Sequence, residues 1–315
     1  MNSAWKIGLL VAIGLIPAAA EAAGLRQVQI AADARGPAIH ALIWTPCDRP
    51  AKNIKIEDPL VIQGTWNCPI QASALPLIVI SHGGGGPAFE HHDTAEALAD
   101  AGFVVVALEH PNDHVAGLDK YWLVERPTDV QRVVDYMLRS SAAAPNIAVN
   151  RIGFFGFSRG GYTGLMLAGA SPQYPWFLKV WLQLATWMFH QHAPFQPPAL
   201  DPRFKAFVLA DPLTFFPDKN SLKKVRTPIQ LWSSEKGGAG VTPEKVAAVA
   251  HDLPQPPEFH LVPNTAHPAF AFPCSPAVVK VAMEFCTDPP DFDRAAFHKT
   301  FNAQVLRFFR EKLNP

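Results

Sequence analysis

The sequence has no excess of charge of either sign. Its 315 residues include 27 Lys and Arg against 27 Asp and Glu, and only 17% of the chain is charged. No cluster of Lys or Arg stands out, so neither nucleic acid nor an anionic surface is expected as a partner. A neutral or apolar ligand fits this composition better. Hydrophobic residues make up 49% of the chain, which excludes a disordered protein, and the length suits one large α/β domain.

Long apolar segments are missing at the start of the chain, where the run over residues 7–16 is too short to span a bilayer. A lysine precedes this run and an A-x-A pattern at residues 20–22 follows it, which is typical of a secretory signal peptide. We therefore predict a signal peptide over residues 1–22 and a single domain over residues 23–315. The mature protein is expected to be exported, periplasmic or secreted, without a transmembrane segment. A membrane anchor that is never cut is the alternative.

Cysteine is scarce, with four residues and no C-x-x-C pair, so a zinc site is not expected. An even number of thiols in an oxidising compartment usually pairs. Closeness in sequence predicts the disulfides Cys47–Cys68 and Cys274–Cys286, one of three possible connectivities. Free buried thiols are the alternative.

Apolar runs bounded by turn signals alternate with longer helical patterns along the chain. This alternation predicts an α/β fold with a mostly parallel, doubly wound sheet that helices cover on both faces. A proline-containing loop is expected to carry the first cysteine pair. The predicted strands cover residues 25–32, 38–44, 76–86 (where the strand runs into glycines), 103–110, 151–157, 204–210, 228–234 and 258–263. The predicted helices cover residues 92–102, 127–140, a small-residue stretch after residue 158, and residues 294–313.

The sequence RIGFFGFSRGGYTG places a serine between two glycines at the end of the strongest strand pattern. A strand that turns abruptly into a helix holds its central residue in a strained conformation, and side chains at the flanking positions would collide. Gly156 and Gly160 are therefore needed around Ser158. This G-x-S-x-G pattern predicts a nucleophile elbow with Ser158 as the nucleophile, although a chance match is the alternative. The helix that follows directs its N-terminus at developing negative charge.

Four glycines follow a predicted buried strand in the sequence SHGGGG, residues 81–86. Cleavage of an ester or amide passes through a tetrahedral oxyanion, and fixed backbone N–H groups around it are each worth about 3 kcal/mol. Glycine lets the chain approach that closely. We assign the two donors of this oxyanion hole to the amides of Gly84 and Arg159, the residue after the nucleophile. A merely flexible loop is the alternative for the glycines.

A serine nucleophile needs a base, and the base needs an acid that orients it. His267 lies in a loop just past the last predicted strand, where this fold brings a C-terminal histidine over the nucleophile, and the chain order Ser, acid, His agrees. Asp211 directly follows the strand over residues 204–210. It is the preferred acid because little chain intervenes to loosen its geometry. Glu235, which follows the next strand, is the alternative acid.

Six blocks of the sequence carry a family resemblance. They read LPLIVISHGGGG, LADAGFVVVALEHPNDH, FFGFSRGGYTG, AFVLADPLTFFP, PIQLWSSE and NTAHPAF. In this order they resemble the platelet-activating factor acetylhydrolase family, plasma type, and its bacterial dienelactone hydrolase-like relatives, which belong to the α/β-hydrolase superfamily. The resemblance covers most of the mature chain and implies a catalytic domain over residues 23–315.

The resemblance also bears on individual residues. The family has its acid in an ALD context, which LAD matches at Asp211, and its first oxyanion residue directly after Ser-His-Gly, which corresponds to Gly84. Arg159 departs from the pattern, because it replaces an apolar residue and adds a charge at the mouth of the site. The elbow holds Ser158, whereas true dienelactone hydrolases have a cysteine nucleophile.

The segment over residues 172–200 is rich in aromatic residues and longer than its counterpart in that family. We interpret it either as a cap that supplies an apolar pocket for an acyl or alkyl group, or as ordinary packing. The sequence leaves both interpretations open.

Two further motifs, EHHD at residues 90–93 and EHPNDH at residues 109–114, contain groups able to bind a divalent ion. Neither has a recognised metal-binding spacing, so we expect no metal site and no cofactor. A solvated loop near the rim of the site is the preferred interpretation, and contact of His110 and His114 with substrate is another.

Together these residues predict an exported serine hydrolase that cleaves carboxylic esters through an acyl-enzyme. The expected partner is a small-molecule ester, lipid esters included. One alternative is an amidase or peptidase that uses the same parts on a harder bond. The other is a non-catalytic binding protein on a hydrolase scaffold.

Overall fold

The computed structural model of the protein describes residues 23–114, 121–189 and 200–313. The predicted signal peptide, residues 1–22, and residues 190–199 of the predicted cap lie outside the described residues. None of the described helices is long and apolar enough to cross a membrane.

The described residues form a ten-stranded sheet flanked by helices. The strands are β1 Gly24–Ile30, β2 Ile39–Thr45, β3 Lys52–Glu57, β4 Leu60–Trp66, β5 Leu75–Ser81, β6 Val104–Leu108, β7 Ile147–Phe157, β8 Phe204–Ala210, β9 Ile229–Ser234 and β10 Glu258–Val262. The helices are α1 His92–Asp100, α2 Trp122–Arg139, α3 Arg159–Leu167, α4 Trp176–Phe189, α5 Lys219–Leu222, α6 Pro243–Asp252, α7 Pro276–Val281, α8 Met283–Cys286 and α9 Arg294–Leu313. Short 3-10 helices cover Pro111–His114, Ala144–Asn146 and His267–Phe270.

The sheet is parallel at its centre and antiparallel toward one edge. Its strand order is β10-β9-β8-β7-β5-β6-β2-β1-β4-β3, and the neighbours from β10 to β6 all pair in parallel. β6, β2 and β1 pair antiparallel. A short parallel pairing then joins β1 to β4, and β4 pairs antiparallel with β3. The chain leaves β5 for β6 on one side and returns to β7 on the other, so the topological switch point lies at the carboxyl ends of β5 and β7. Doubly wound sheets bind their ligands at such a point.

Helices cover both faces of the sheet. All residues of β5, β6 and β9 are buried, as expected for strands that lie between two helical layers. One apolar cluster, which includes Val130, Leu165 and Val246, packs α2, α3 and α6 on one face. The other, which includes Leu98 and Phe301, packs α1 and α9 on the opposite face. The predicted α/β fold with a mostly parallel, doubly wound sheet is therefore confirmed.

An antiparallel hairpin of β3 and β4 occupies residues that the sequence analysis assigned to a loop. Buried Ile54 and Ile62 alternate with more exposed neighbours, so the alternation that indicates a half-buried strand is present in the sequence. The turn, however, is Asp58-Pro59, which is not one of the Asn-Gly or Asp-Gly pairs that favour a hairpin. The loop prediction was wrong because it gave more weight to the prolines of this segment than to the alternation of apolar and polar residues.

Both predicted disulfides are present in the structure. Cys47–Cys68 joins the residues that flank the β3–β4 hairpin, over a sequence separation of 21. Cys274–Cys286 closes the segment that contains α7 and α8, over a separation of 12. Each crosslink reduces the freedom of the unfolded chain and thereby stabilises the fold.

Helix α2 begins at Trp122 and not at Pro127, where the sequence analysis placed its start. Proline has no N–H to bond the carbonyl one turn earlier, so it is expected at the start of a helix. The carbonyl that Pro127 leaves without a helical partner belongs to Leu123, and it accepts a hydrogen bond from the Tyr162 hydroxyl at 3.1 Å. A side-chain donor thus replaces the missing backbone bond, and the extra turn of α2 contains Arg126.

Helix α4 is apolar on both of its faces. Leu182 and Ala185 are buried in the core, and Trp181 packs against the same cluster. The opposite face exposes the large side chains of Trp176, Phe177, Val180, Leu184, Trp187 and Met188. Trp181 therefore fits the packing interpretation of this segment, and a cap formed by the exposed face stays a proposal.

Candidate active site

Ser158 lies in the turn between β7 and α3 with φ 55° and ψ −113°, a conformation that residues with a side chain rarely adopt. Two close approaches of the backbone accompany it. A Cβ at Gly156 would lie 2.3 Å from the carbonyl oxygen of Gly160, and a Cβ at Gly160 would lie 2.0 Å from the carbonyl oxygen of Ser81. Both positions therefore require glycine, and the turn has the geometry of a nucleophile elbow.

Asp211 and His267 form a buried pair at the same edge of the sheet. Asp211 follows β8 and is 0% exposed, and His267 opens the 3-10 helix after β10. Oδ2 of Asp211 lies 2.9 Å from Nδ1 of His267. Ser234 donates its amide to Oδ1 at 2.7 Å and its hydroxyl to Oδ2. Because a carboxylate only accepts hydrogen bonds, Nδ1 carries the proton and Nε2 is left as the basic nitrogen.

The imidazole of His267 stacks on the residue that precedes the serine. Its ring centroid lies 4.6 Å from that of Phe157, with 30° between the ring planes. The Oγ of Ser158 makes no hydrogen bond with His267 or any other described residue. Catalytic hydrogen bonds are often long in structures without substrate. Of the two contacts of the predicted triad, the structure therefore contains the one between Asp211 and His267.

Glu235, the alternative acid, makes a different contact. Its Oε2 accepts a hydrogen bond from the Asn264 amide at 2.7 Å, and the residue is exposed. Its own amide donates to the carbonyl of Val262 at 3.1 Å. Glu235 therefore fixes the turn that precedes His267 and does not bind the imidazole.

Two carboxylates hold the glycine loop that follows β5. The amide of Gly83 donates to Oε2 of Glu90 at 2.6 Å, and the amide of Gly85 donates to Oδ2 of Asp113 at 3.0 Å. The amide of Gly84, between them, makes no hydrogen bond with another described residue. Gly84 therefore has the N–H group of this loop that can bind a ligand oxygen, which supports its assignment to an oxyanion hole.

A buried arginine fixes the carbonyl groups of the same loop. Arg126 is 0% exposed, donates to the carbonyl oxygens of His82 and Gly83 at 2.7 Å each, and forms an ion pair with Asp113. Burial is the largest single influence and raises the pKa of Asp113, but the charge and hydrogen bonds of Arg126 and the hydrogen bond from the Gly85 amide together lower this pKa to about 2. Arg126 was not predicted as part of the site, because the predicted helix began at Pro127, the residue after it. Asp113 was predicted to lie in a solvated loop, with a metal site as the other interpretation.

Arg159, the first residue of α3, lies over the glycine loop. A Cβ at Gly84 would approach Nε of Arg159 to 2.6 Å. The guanidinium carbon of Arg159 lies 4.8 Å from the ring centroid of Trp122, and its Nη1 lies 3.8 Å from Asp113. The side chain thus places a positive charge beside Gly84. The amide of Arg159 lies at the N-terminus of α3, where the helix dipole favours an anion.

The described side chains of the two motifs considered as metal sites bind different residues of the chain and do not converge on one point. In the first, Glu90 accepts from Gly83 and Asp93 pairs with His298 at 2.6 Å. In the second, His110 bonds groups inside the fold, and the side chain of His114 lies outside the described residues. Glu90 and His110 are buried, at 5% and 2% exposure, so the interpretation of these motifs as a solvated loop was wrong, and their described side chains make structural contacts.

A second chain of hydroxyl, imidazole and carboxylate lies directly before the glycine loop. Oγ of Ser81 lies 2.9 Å from Nε2 of His110, and Nδ1 of His110 lies 3.0 Å from Oδ2 of Asp129. Burial and then the charge of Arg126 hold the pKa of His110 well below its usual value, and burial raises the pKa of Asp129 well above its own. Ser81 is 0% exposed, so this chain is a structural link from α2 to β5 and no substrate reaches it.

His82 is buried as a neutral imidazole. Its Nδ1 donates to the carbonyl of Gly83 at 2.6 Å, and its Nε2 accepts from the amide of His110 at 3.3 Å. A second proton on Nε2 would therefore face another N–H group. Burial and then the charge of Arg126 lower the pKa of His82 to about 4.

We expect this histidine to make the protein less stable in mild acid. Between the ordinary histidine pKa of 6.5 and about 4, the unfolded chain binds a proton at His82 and the folded chain does not. His82 therefore contributes up to about 3 kcal/mol to the free energy of unfolding. This contribution is fully present above pH 6.5 and is lost as the pH falls toward about 4. Urea unfolding at about pH 7 and about pH 4.5 measures it.

The wild-type protein should lose more unfolding free energy between the two pH values than His82→Gln does. His251→Gln, which replaces an exposed histidine, is the matched control and should behave like the wild type. Equal losses in the wild type and in His82→Gln would contradict the prediction.

Comparison with known proteins establishes the class of fold. Comparison of the chain with protein-family models gives no match. The structure is similar to that of a ferulic acid esterase from Streptomyces cinnamoneus, with a TM-score of 0.64 and 16% sequence identity over 96% of this chain and 92% of that chain. Similarity at this level of identity shows the fold alone. The protein has the α/β-hydrolase fold.

Proposed function

We propose that the protein is a serine hydrolase that cleaves carboxylic esters through an acyl-enzyme. In this proposal Ser158 is the nucleophile, His267 the base, and Asp211 the acid that orients the base. The observation that carries the proposal is the buried contact of 2.9 Å between Asp211 and Nδ1 of His267, at the edge of the sheet where the strained elbow presents Ser158. The imidazole also stacks on Phe157, the neighbour of the serine, so the proposed base lies beside the elbow.

The proposed reaction has two halves. Nε2 of His267 removes the proton of the Ser158 hydroxyl while Oγ attacks the ester carbonyl carbon and the carbonyl oxygen becomes an oxyanion. The tetrahedral intermediate then expels the alcohol, which takes its proton from the imidazolium. Water repeats the same steps on the acyl-enzyme and releases the carboxylic acid. Asp211 keeps the proton on Nδ1 and stabilises the imidazolium without taking the proton itself.

The amides of Gly84 and Arg159 are the proposed donors to the oxyanion. The assignment of Gly84 is supported by the hydrogen bonds of its loop, since the amides on either side donate to carboxylates. Arg159 is supported by its place at the N-terminus of α3. Because Arg126 and the two carboxylates fix the loop in advance, its amide would not have to reorganise as the charge develops.

The proposed substrate is a small ester without net charge. The balanced composition favours a neutral or apolar ligand. The sequence motifs resemble the plasma-type platelet-activating factor acetylhydrolases, and the structural neighbour is named a ferulic acid esterase. Lipid esters and esters of aromatic acids are both included in the proposal.

We also propose that the mature protein, residues 23–315, acts outside the cytoplasm. The pattern of residues 1–22 is that of a signal peptide. All four cysteines are bound in disulfides, which persist in oxidising compartments and are rare in the cytosol.

A panel of p-nitrophenyl esters and matched p-nitroanilides tests the reaction. We expect turnover of the esters, an initial burst of p-nitrophenol from acyl-enzyme formation, and labelling by a fluorophosphonate probe. Comparable cleavage of the anilides would identify an amidase instead. The absence of both turnover and labelling would identify a non-catalytic binding protein.

A further inference from the structure

A cavity of about 370 Å³ borders the glycine loop. One side of it is formed by residues 84–86, which include Gly84. The turn of the β3–β4 hairpin, residues 57–60, and the segment of α7 and α8 form other parts of its wall. Its volume lies in the range of small-ligand pockets, which is roughly 300–1,000 Å³.

The wall of the cavity is mostly apolar. It includes the side chains of Leu60, Phe89, Phe272, Val278 and Phe285. Phe272 and Phe285 also contact each other, with ring centroids 5.8 Å apart. No lysine or arginine is among the described residues that line the cavity. An apolar group therefore gains by leaving water for this cavity.

Acidic residues make the cavity unfavourable for a negatively charged occupant. Glu90 lies in the wall, is 5% exposed, and already accepts the amide of Gly83. Glu57 and Asp58 lie in the hairpin turn at the cavity. Asp58 pairs with Lys55 at 3.1 Å, and Arg159 lies beside Gly84. A carboxylate or phosphate is therefore disfavoured chiefly near the buried Glu90.

A disulfide holds one wall of the cavity in place. Cys274–Cys286 closes the segment that contains Val278, Ala282 and Phe285. Arg294, at the start of α9, donates to the carbonyl oxygen of Phe285 at 3.0 Å. The wall is therefore ordered before a ligand arrives, and binding costs less conformational entropy than it would with a loose segment.

We propose that this cavity binds the uncharged, apolar acyl or alkyl group of the ester, and that Phe285, Phe272 and Val278 set the chain length that the protein prefers. The inference rests on the proposed function, since it uses Gly84 as the donor to the ester oxygen. Gly84 borders the cavity, so in this proposal an ester bound at the amide of Gly84 extends one substituent into the cavity. The apolar lining and the acidic rim together select medium-length neutral chains over acetyl groups and over chains that end in a carboxylate.

A series of p-nitrophenyl esters from acetate to octanoate measures the preference. We expect kcat/KM of the wild type to rise about fourfold for each added methylene until the cavity is full. Ala282→Trp places a large ring in the cavity and should abolish this rise. Phe285→Ala enlarges the cavity and should move the optimum to longer chains. Val149→Trp is the matched control on the exposed start of β7, and its profile should be that of the wild type.

A binding measurement tests the cavity independently of the reaction. N-phenyl-1-naphthylamine, a neutral fluorescent probe, should bind the wild type and Val149→Trp equally, and Ala282→Trp at least about tenfold more weakly. Failure of the wild type to hydrolyse any ester would overturn the proposed function. Binding of the probe would then test only whether the cavity takes a neutral apolar ligand. Equal probe affinity in Ala282→Trp and the wild type, or an unchanged chain-length profile in Ala282→Trp, would overturn the assignment of the cavity and leave ester hydrolysis standing.

Discussion

Ser158→Ala should lower kcat by about a millionfold and abolish labelling by a fluorophosphonate, because no other hydroxyl lies on the elbow. The residual rate over the uncatalysed reaction is expected to come from the oxyanion donors and from substrate binding alone. Alanine keeps the Cβ of serine, so the strained backbone at φ 55° is retained and the change removes only the reacting oxygen. Initial rates on p-nitrophenyl butyrate and mass spectrometry of the labelled protein give the two readings.

Ser141→Ala is the matched control for this loss. Ser141 is also buried, at 5% exposure, and its hydroxyl accepts the amide of Ala143. It precedes the start of β7, whereas the elbow follows the end of that strand. We expect its activity to stay within about threefold of the wild type. Retention of more than about one-hundredth of the wild-type rate in Ser158→Ala would show that another group performs the attack.

The sequence predicted the parts of the fold that depend on hydrophobic pattern. Strands buried on both faces, such as β5 and β6, are continuous apolar runs, and the last helix was predicted with the bounds that the structure has, Arg294–Leu313. The parts it missed follow local chemistry that depends on distant residues. Pro127 lies inside α2 because the hydroxyl of Tyr162, from another helix, satisfies the carbonyl of Leu123. No window of sequence around Pro127 contains that donor.

The elbow was predictable for a related reason, since its constraint is local. A side chain does not fit at Gly156 or Gly160, the second residue on either side of Ser158, and the structure shows the two close approaches. The support of the glycine loop was not predictable, because Glu90, Asp113 and Arg126 come from three separate elements. Their contacts depend on the fold as a whole. The motifs that contain Glu90 and Asp113 were noticed in the sequence, but only a structure distinguishes a carboxylate that binds a backbone amide from one that awaits a ligand.

The choice between the two candidate acids illustrates the same limit. Asp211 and Glu235 follow neighbouring parallel strands, so the carboxyl ends of β8 and β9 place both at one edge of the sheet. What separates them is the direction of each side chain. Asp211 turns inward to Nδ1 of His267, whereas Glu235 turns to the amide of Asn264.

Asp211→Asn should lower kcat by about ten-thousandfold with little change in KM. The amide of Ser234 donates to Oδ1, so it would hold the oxygen of the new asparagine and leave the NH₂ group facing Nδ1 of His267. The imidazole would then accept at Nδ1 and carry its proton on Nε2. In this tautomer it cannot take the proton of Ser158, although every side chain keeps its size and position.

Glu235→Gln is the matched control, because it makes the same change of carboxylate to amide at the next strand. Its activity should stay within about threefold of the wild type, since the carbonyl of glutamine still accepts the amide of Asn264. The rate of fluorophosphonate labelling separates the two variants without a substrate, because labelling also needs the base: Asp211→Asn should be slow and Glu235→Gln normal. A loss of activity in Glu235→Gln as large as that in Asp211→Asn would transfer the role of the acid to Glu235, and normal labelling of Asp211→Asn would show that the proposed relay through His267 does not operate.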